Sequence, residues 1–285
     1  MESVTTDPIE RVLSLLGGAR AVALTGAGIS TESGIPDYRG EGTRARAKSP
    51  IQHREFVGKP EVRARYWARS LAGFERFAAA EPNPAHHALA SLESAGLVTG
   101  VVTQNVDELH QRAGSREVVE LHGTLSTVKC LTCDRRESRR DLQARLRART
   151  SVAAPLEFAP DGDAEVAVPT GFEPPGCLAC GGILKPTVVF FGDNVPKPVV
   201  EAAFALVDSA ECLLVFGTSL AVFSGYRFLL RAKERRIPIV AINLGPMRGS
   251  ELCDLYLPAR LGEALPNLAH AWLTRRGARA SSPHR

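Results

Sequence analysis

The apolar residues of the chain occur in short continuous runs instead of alternating with polar ones. Five runs are rich in Val, Ile and Leu, and they cover residues 21–26, 97–105, 187–192, 212–219 and 237–245. Strands that are buried on both faces have this pattern, which is typical of parallel sheets. Helix-like stretches lie between several of the runs, at residues 84–95, 105–112, 197–208 and 220–235. The repeated succession of strand and helix predicts a doubly wound α/β domain.

Small or polar residues follow each of the five predicted strands, in the stretches TGAG, TQN, FGDN, GTS and NLG. Open α/β sheets bind their ligands at the carboxyl ends of the strands. A turn alone explains any one of these endings, whereas all of them together indicate a binding crevice along one edge of the sheet.

Two segments interrupt this succession and predict a second, smaller lobe. The first looks helical and carries aromatic residues with many arginines, and the second contains two pairs of cysteines. The expected Rossmann-like domain comprises residues 1–41, 83–122 and 186–275. The inserted helical module comprises residues 42–82 and the inserted cysteine module residues 123–185, and a disordered tail is expected at 276–285.

Composition and charge narrow the class of protein. Of the 285 residues, 44% are hydrophobic and 23% are charged, which is ordinary for a globular protein. No apolar run reaches the roughly 18 residues of a membrane-spanning helix, and the acidic start MESVTTDPIE resembles neither a signal peptide nor a transit peptide. We therefore expect a cytoplasmic protein with no membrane contact. The formal net charge of +4 gives no support for nucleic-acid binding.

Four of the six cysteines form two C-x-x-C pairs, Cys130 with Cys133 and Cys177 with Cys180. Two such pairs can supply four thiolates to one tetrahedral Zn²⁺, and four thiolates leave no position for water, so the predicted zinc is structural. The alternatives are a redox dithiol or unrelated buried cysteines. A zinc ribbon alone would suggest nucleic-acid binding, but this one carries few aromatic residues for base stacking.

The strand predicted at 97–105 leads into the polar residues Gln104, Asn105 and Asp107. Amides can bind ribose hydroxyls and carboxamides, and Asp107 could accept a hydrogen bond from a carboxamide. The alternative is that Asn105 and Asp107 only cap the following helix. His122, in ELHG, is predicted at a strand end where the two lobes meet, which suits a general base. Its alternative is a structural histidine.

The stretch ALTGAGISTESGIPDYRG contains two of the three glycines of the dinucleotide-binding pattern G-x-G-x-x-G. After Gly26 and Gly28, the third glycine is due at position 31, which is Thr31. The glycine pattern alone leaves open what this loop binds. The family resemblance set out below implies that the two glycines let the backbone approach phosphates and that the polar residues 30–39 form a lid over the bound nucleotide.

Taken together, these motifs resemble those of the sirtuins, a family of NAD-dependent protein-lysine deacylases. The matching stretches occur in the family's order over residues 8–270; they are TGAGISTESGIPDYRG, TQNVDELHQRAGS, ELHG, both cysteine pairs, KPTVVFFGDNVP, GTSLAV and AINLGP. The similarity is greatest to class II and its mitochondrial type with lipoamidase and ADP-ribosyltransferase activities, because of PIQHREFV, RYWARSLAGF, NPAHHAL, APDGD and SGYRF. The absence of a transit peptide suggests a bacterial relative.

The resemblance implies a set of functional residues. Its catalytic residues are His122, the proton acceptor, and Asn105. NAD, a consumed substrate, is expected to contact Gly26, Ala27, Gly28, Ile29, Ser30, Pro36, Asp37, Tyr38, Arg39, Gln104, Asn105, Val106, Asp107, Gly217, Thr218, Ser219, Asn243, Leu244 and Gly245. The acyl-lysine peptide is expected to pair as an added strand with Val189, Phe190, Phe191 and Gly192.

In the mechanism that the resemblance implies, the acyl-lysine carbonyl oxygen attacks C1′ of the nicotinamide ribose, and nicotinamide leaves. His122 then removes a proton from a ribose hydroxyl, which attacks the imidate carbon, and water completes the transfer of the acyl group to ADP-ribose. We expect a monomer that acts on acylated-lysine proteins or peptides. Two alternatives stay open: a protein ADP-ribosyltransferase that uses the same NAD site, and a non-enzymatic NAD-sensing module.

Tyr66 and Arg69, in RYWARS, match the pair that class II members direct at acidic acyl groups such as succinyl. An arginine can bind such a carboxylate through two parallel hydrogen bonds. The alternative is an arginine-rich helix face that is exposed to solvent, since arginine is abundant throughout the chain.

Overall fold

The computed structural model describes residues 7–37, 51–150 and 166–280. Its centre is a six-stranded parallel sheet with the order β3-β2-β1-β7-β8-β9. The strands are β1 Ala21–Thr25, β2 Val98–Thr103, β3 Val118–Glu120, β7 Cys212–Phe216, β8 Ile239–Ile242 and β9 Leu255–Leu257. This order confirms the predicted Rossmann-like domain, and it brings the carboxyl ends of all six strands to one edge.

A second, antiparallel sheet has the order β5-β4-β6 and belongs to the smaller lobe. Its strands are β4 Thr127–Cys130, β5 Arg136–Ser138 and β6 Leu184–Pro186. The helices are α1 Pro8–Leu16, α2 His53–Gly58, α3 Pro60–Ala78, α4 Pro84–Ser94, α5 Leu109–Arg112, α6 Arg139–Arg149, α7 Lys197–Ser209, α8 Phe223–Glu234 and α9 Leu261–Ala280.

The core has the layers that a doubly wound fold requires. On one face of the parallel sheet, α1, α4 and α9 bury their apolar side chains. On the other face, α7 and α8 do the same. A third apolar cluster joins α3, α6 and β4 within the smaller lobe. The exact residue boundaries of the lobes stay a prediction. None of the helices among the described residues has the length and apolar character of a membrane span.

Three sequence expectations are corrected by the structure. Residues 187–192 are not a sheet strand, since Phe191 makes only an isolated bridge to Gln52. They form the segment, called the crossing segment below, that passes from the smaller lobe back to the Rossmann-like domain. The helix expected at 105–112 begins only at Leu109, since Glu108 has a left-handed φ of 59° that an α-helix does not allow. The tail expected from 276 is helical as far as Ala280. Residues 281–285 lie outside the described residues, as does the motif APDGD at 159–163.

Candidate active site

The loops that follow the neighbouring strands β1 and β7 touch each other closely. Gly28 N donates to Gly217 O at 2.8 Å, and Gly26 N donates to Phe216 O at 3.1 Å. A Cβ atom at Gly28 would lie 2.8 Å from Gly217 Cα, and one at Gly26 would lie 2.6 Å from Thr218 Cβ. The two glycines of the opening motif are therefore required by contact between the loops, in addition to any approach of a phosphate.

A hydrogen-bonded group of polar side chains lies where β1 and β2 end. Ser30 Oγ donates to Asp107 Oδ2 at 2.7 Å and accepts from Asn105 Nδ2 at 3.0 Å. Asp107 Oδ1 accepts from Leu109 N at 3.0 Å, so Asp107 also has the helix-capping role that was the alternative to binding. Asn105 does not cap the helix, because its amide is directed at Ser30. Burial raises the pKa of Asp107 above its ordinary value.

Two buried histidines, His86 and His110, pack next to this polar group. His86 Nδ1 accepts from Asn83 N, so its Nε2 carries the hydrogen and faces Ser30 Oγ at 3.4 Å. The ring of His110 lies 5.0 Å from that of His86, and His110 Nε2 donates to Thr25 Oγ1 at 2.9 Å. Burial lowers the pKa of His86 to about 4 and that of His110 to about 3. Both imidazoles are therefore neutral and act as uncharged hydrogen-bond partners.

Gln104 connects the end of β2 to the loop after β7. Its Nε2 donates to Thr218 Oγ1 at 2.8 Å, and its backbone N donates to Thr25 O at 3.0 Å. The carbonyl oxygen of the nearby Val106 accepts from Leu125 N at 3.1 Å, which ties the loop to the entry of the smaller lobe. The segment that contains the predicted amide ligands is thus fixed on both sides.

His122 lies directly beyond β3, at the same edge of the sheet. Its Nδ1 is 2.9 Å from Gln104 O, and its Nε2 is 2.8 Å from Ser224 Oγ. A carbonyl oxygen only accepts, so Nδ1 carries the hydrogen and the lone pair is on Nε2. Burial lowers the pKa of His122, and the positive charge of Arg227 lowers it further, while the bond to Gln104 acts in the opposite direction. The imidazole is therefore neutral at neutral pH, as a general base must be.

Arg227 was not predicted from the sequence to belong to this region. Its guanidinium lies over the ring of Phe223, 5.4 Å from the ring centre, and its Nε is buried without a hydrogen-bond partner among the described residues. It also lines a groove of about 550 Å³ between α7 and α8. That groove lies on the helical layer and not at the strand ends, so we do not assign the nucleotide to it.

The end of β8 forms the other side of the crevice. Asn243 N donates to Leu257 O at 3.0 Å, and Tyr256 Oη donates to Asn243 O at 3.1 Å. Leu244 is 63% exposed, and no atom lies within 4 Å of a Cβ placed on Gly245. This strand end therefore offers open space beside the exposed apolar side chain of Leu244, with Asn243 next to it. Of the other predicted NAD contacts, Tyr38 and Arg39 lie outside the described residues.

The four paired cysteines converge at one point of the smaller lobe. All four Sγ atoms lie within 4.8 Å of one another, with 3.6 Å from Cys130 to Cys180 and 3.7 Å from Cys133 to Cys177. Tetrahedral Zn²⁺ with Zn–S bonds of about 2.3 Å requires sulfur separations of about 3.8 Å. Backbone hydrogen bonds, the largest from Cys133 N, lower the pKa of Cys130 to about 6, which favours the thiolate. The donor set therefore fits one structural zinc ion.

The crossing segment 187–192 connects this lobe to His122. Val189 N donates to His122 O at 2.9 Å, and His53 N donates to Phe191 O at 2.8 Å. The ring of Phe190 lies 5.2 Å from that of Tyr66. Phe191 is an exposed apolar residue next to it. The predicted peptide-binding segment is thus held between the predicted base and the predicted acyl residues.

Tyr66 and Arg69 lie on the inner face of α3. Tyr66 is 5% exposed and Arg69 is 8% exposed. The alternative of a solvent-exposed arginine face is therefore wrong for this pair. The ring of Tyr66 packs edge-on against Phe56 at 5.4 Å and Trp67 at 5.0 Å, so it belongs to the aromatic cluster that also contains Phe190.

Comparison with known proteins places this site in a family context. Residues 26–224 match the Sir2 family. The chain is 47% identical over 273 residues to the NAD-dependent protein deacylase Sirt4 of Drosophila melanogaster, covering 93% of this chain and 88% of that protein. It is 47% identical over 265 residues to the human mitochondrial NAD-dependent protein lipoamidase sirtuin-4, covering 90% and 84%.

A bacterial protein and a solved structure also match nearly the whole chain. NAD-dependent protein deacetylase 1 of Mycobacterium avium is 47% identical over 265 residues, covering 90% of this chain and 93% of that one. A solved Sir2 protein, described with a p53 peptide and NAD⁺, matches with a TM-score of 0.75 and 31% identity over 95% of this chain and 99% of that one.

Proposed function

The chain belongs to the Sir2 family, and from this premise we propose that it is an NAD-dependent protein-lysine deacylase. NAD supplies the leaving group, nicotinamide, and the ADP-ribose that receives the acyl group from lysine. Deacylases and deacetylases among the relatives support this function over ADP-ribosyl transfer. The resemblance to the mitochondrial lipoamidase type is confirmed by the human relative.

The observation that carries the proposal is the arrangement of polar groups at three successive strand ends. Ser30 follows β1, Asn105 and Asp107 follow β2, and His122 follows β3. Because β1, β2 and β3 are neighbours in the sheet, these groups form one continuous wall of the crevice. The wall offers an amide, a carboxylate and a neutral imidazole within one site, as binding and cleavage of NAD require.

Within this wall we assign His122 as the proton acceptor. Its Nδ1 hydrogen is fixed by Gln104 O, so the lone pair of Nε2 is the basic position. Asn105 is the second catalytic residue, and it orients the nicotinamide ribose through an amide that Ser30 already holds in place. Asp107, with the backbone at Val106, binds the carboxamide of nicotinamide.

The remaining NAD contacts follow from the strand-end loops. The loops after β1 and β7 surround the phosphates and the ribose with backbone N–H groups and hydroxyls, and the loop after β8 holds the adenosine. The assigned residues are Gly26, Ala27, Gly28, Ile29, Ser30, Pro36, Asp37, Tyr38, Arg39, Gln104, Gly217, Thr218, Ser219, Asn243, Leu244 and Gly245.

The acylated peptide is assigned to the crossing segment of Val189, Phe190, Phe191 and Gly192. An extended peptide can add to such a segment through main-chain hydrogen bonds, which gives little selectivity for side chains. Its acyl chain then extends toward α3, because Phe190 packs against Tyr66. A buried guanidinium at Arg69, on the same helix, favours an acidic acyl group such as succinyl.

Mass spectrometry of the reaction products tests the function. The protein is incubated with NAD and a panel of acetyl-, succinyl-, glutaryl- and lipoyl-lysine peptides. Formation of acyl-ADP-ribose with a deacylated peptide supports the deacylase, whereas mass addition of ADP-ribose to protein supports the transferase. His122→Ala is expected to abolish the acyl product. No turnover of any peptide, or unaltered turnover by His122→Ala, would refute the proposal.

Three expectations from the sequence stay predictions. They are that the protein is a monomer, that it binds no nucleic acid and that it resides in the cytoplasm. Light scattering of the purified chain and a nucleic-acid mobility assay check the first two.

A further inference from the structure

The basic position of His122 is already occupied by a hydroxyl group. Ser224 Oγ lies 2.8 Å from His122 Nε2, and the Nδ1 hydrogen is taken by Gln104 O at 2.9 Å. Since Nε2 of the neutral ring has only a lone pair, the Ser224 hydroxyl is the donor of this bond. A proton can therefore reach Nε2 only if this hydroxyl moves away or if the proton passes through it.

The two partners of the imidazole are parts of one rigid frame. Ser224 lies in the first turn of α8, and a Cβ placed on the next residue, Gly225, would be 2.6 Å from Gln104 Oε1. Gln104 is itself held by Thr218 Oγ1 and by Thr25 O. The ring is thus clamped between segments in direct contact, which favours passage through the hydroxyl over its displacement.

The oxygen of the Ser224 hydroxyl can accept a hydrogen bond from the substrate while it donates to His122. A hydroxyl has one donor hydrogen and two acceptor lone pairs, and among the described residues His122 is the one hydrogen-bond partner of the Ser224 side chain. Its lone pairs are therefore available to a hydroxyl of the substrate. The amino end of α8 and the guanidinium of Arg227, one turn further along, both favour the negative charge that develops on Oγ during such a transfer.

We propose that Ser224 relays the proton from the ribose hydroxyl to His122, a proposal that rests on the deacylase function above. The ribose hydroxyl gives its proton to Ser224 Oγ while Ser224 gives its own to His122 Nε2. The ribose oxygen keeps the electron pair of the broken O–H bond and attacks the acyl carbon. His122 becomes an imidazolium with hydrogens on both nitrogens, and Ser224 ends as a neutral hydroxyl. Ser224 is then a catalytic residue of the second chemical step.

Separate readouts of the two chemical steps test the relay. Exchange of labelled nicotinamide into NAD, in the presence of an acetyl-lysine peptide, reports the first step, which needs no proton acceptor. Single-turnover formation of acyl-ADP-ribose reports the second step. For Ser224→Ala we expect exchange within about threefold of the wild type and acyl transfer about 100-fold slower, the lower end of the contribution of general base catalysis.

Two further variants and one isotope measurement complete the test. Ser224→Thr keeps a hydroxyl and is expected to restore most of the acyl transfer. Ser91→Ala, on the exposed face of α4, is the matched control and is expected to leave both steps unchanged. In mixtures of H₂O and D₂O, a relay moves two protons, so the wild-type acyl-transfer rate should vary as a curve with the deuterium fraction instead of a straight line.

The relay is overturned if Ser224→Ala transfers the acyl group at nearly the wild-type rate, if both steps fall equally, or if the wild-type isotope plot is straight. A wild-type protein that shows neither exchange nor acyl transfer refutes the deacylase function itself, and the relay falls with it. A loss confined to the second step supports the relay, because damage to the fold or to the NAD site would slow the first step as well.

Discussion

Replacement of Gly217 by alanine tests why the glycine-containing loops have their sequence. Gly217 has a φ of 60°, and a Cβ there would lie 2.5 Å from Ile29 N and 2.7 Å from Gly28 C. These are backbone atoms, which cannot rotate away as the end of a side chain can. Gly171 is a matched control, because its φ of 73° is similar and no atom lies within 4 Å of its Cβ position.

Both variants place alanine in a left-handed backbone conformation, but only Gly217→Ala also overpacks its surroundings. A left-handed alanine costs about 1–2 kcal/mol in both, whereas overpacking costs about a further 1–3 kcal/mol in Gly217→Ala alone. For a chain of this size, each kcal/mol corresponds to roughly 2–4 °C in the melting temperature. We therefore expect Gly217→Ala to melt about 2–12 °C below Gly171→Ala.

Thermal unfolding without NAD and calorimetric titration with NAD measure the two consequences. Gly217→Ala should also bind NAD more weakly than the wild type, since the loops after β1 and β7 must separate to admit the methyl group. Gly171→Ala should bind NAD as the wild type does. Equal melting temperatures of the two variants would refute the reasoning, because the contact between the loops would then have no energetic weight.

The remaining predictions concern pH, zinc and acyl preference. Burial lowers the pKa of His122 below that of a free imidazole, and the neutral form is the active one, so the acid limb of the kcat/KM profile should have its midpoint at a more acid pH than a free imidazole would give; a midpoint at or above the pKa of a free imidazole contradicts the assignment. His86 has a pKa of about 4 in the fold against an ordinary 6.5, so the unfolded chain binds its proton first and stability is lost as pH falls below 6.5. His86→Asn should reduce the slope of unfolding free energy between pH 6 and 5 by about 1 kcal/mol per pH unit, whereas an unchanged slope contradicts the buried neutral state. Elemental analysis should find one zinc ion per chain, lost in Cys177→Ser with a lower melting temperature and kept in the control Cys253→Ala; a wild-type chain without zinc contradicts the site. Arg69→Gln should lower kcat/KM for a succinyl-lysine peptide by about tenfold or more and leave that for an acetyl-lysine peptide within about threefold, as loss of a charged hydrogen bond implies, and equal losses on both peptides would indicate a structural role instead.

The parts of the fold that could be predicted are those whose pattern is local. β1, β2, β7 and β8 are apolar on both faces, and this pattern is visible in the sequence whatever surrounds it. The cysteine pairs are equally local, because each knuckle has its own spacing. The apolar run at 187–192 belongs to neither sheet, because its residues are half-buried or exposed and Phe190 packs against Tyr66 of the smaller lobe.

Other elements carried a weak or misleading local signal. β9 has only three residues, which is too short for a pattern. α9 buries Leu261, Leu265, Leu268 and Trp272, whose spacing is that of one helix face, but it contains Pro266, a residue that is unfavourable inside a helix.

The residues of the site divide in the same way. Gln104, Asn105, Asp107 and His122 lie in motifs that could be identified along the chain. Ser224 begins the stretch SGYRF, which is noted above only for its family resemblance, and its contact with His122 could not be predicted because 102 residues of sequence separate the two. His86 and His110 were visible as histidines, but only the packing of α4 against α5 shows that they are neutral supports of Ser30.

The stoichiometry of one reaction tests the deacylase function most directly. The protein is incubated with NAD and an acylated-lysine peptide, and nicotinamide, deacylated peptide and acyl-ADP-ribose are quantified together by mass spectrometry. We predict equal amounts of the three products from the wild type and no acyl-ADP-ribose from His122→Ala. Nicotinamide released without a deacylated peptide, or a peptide deacylated without consumption of NAD, would contradict the assignment.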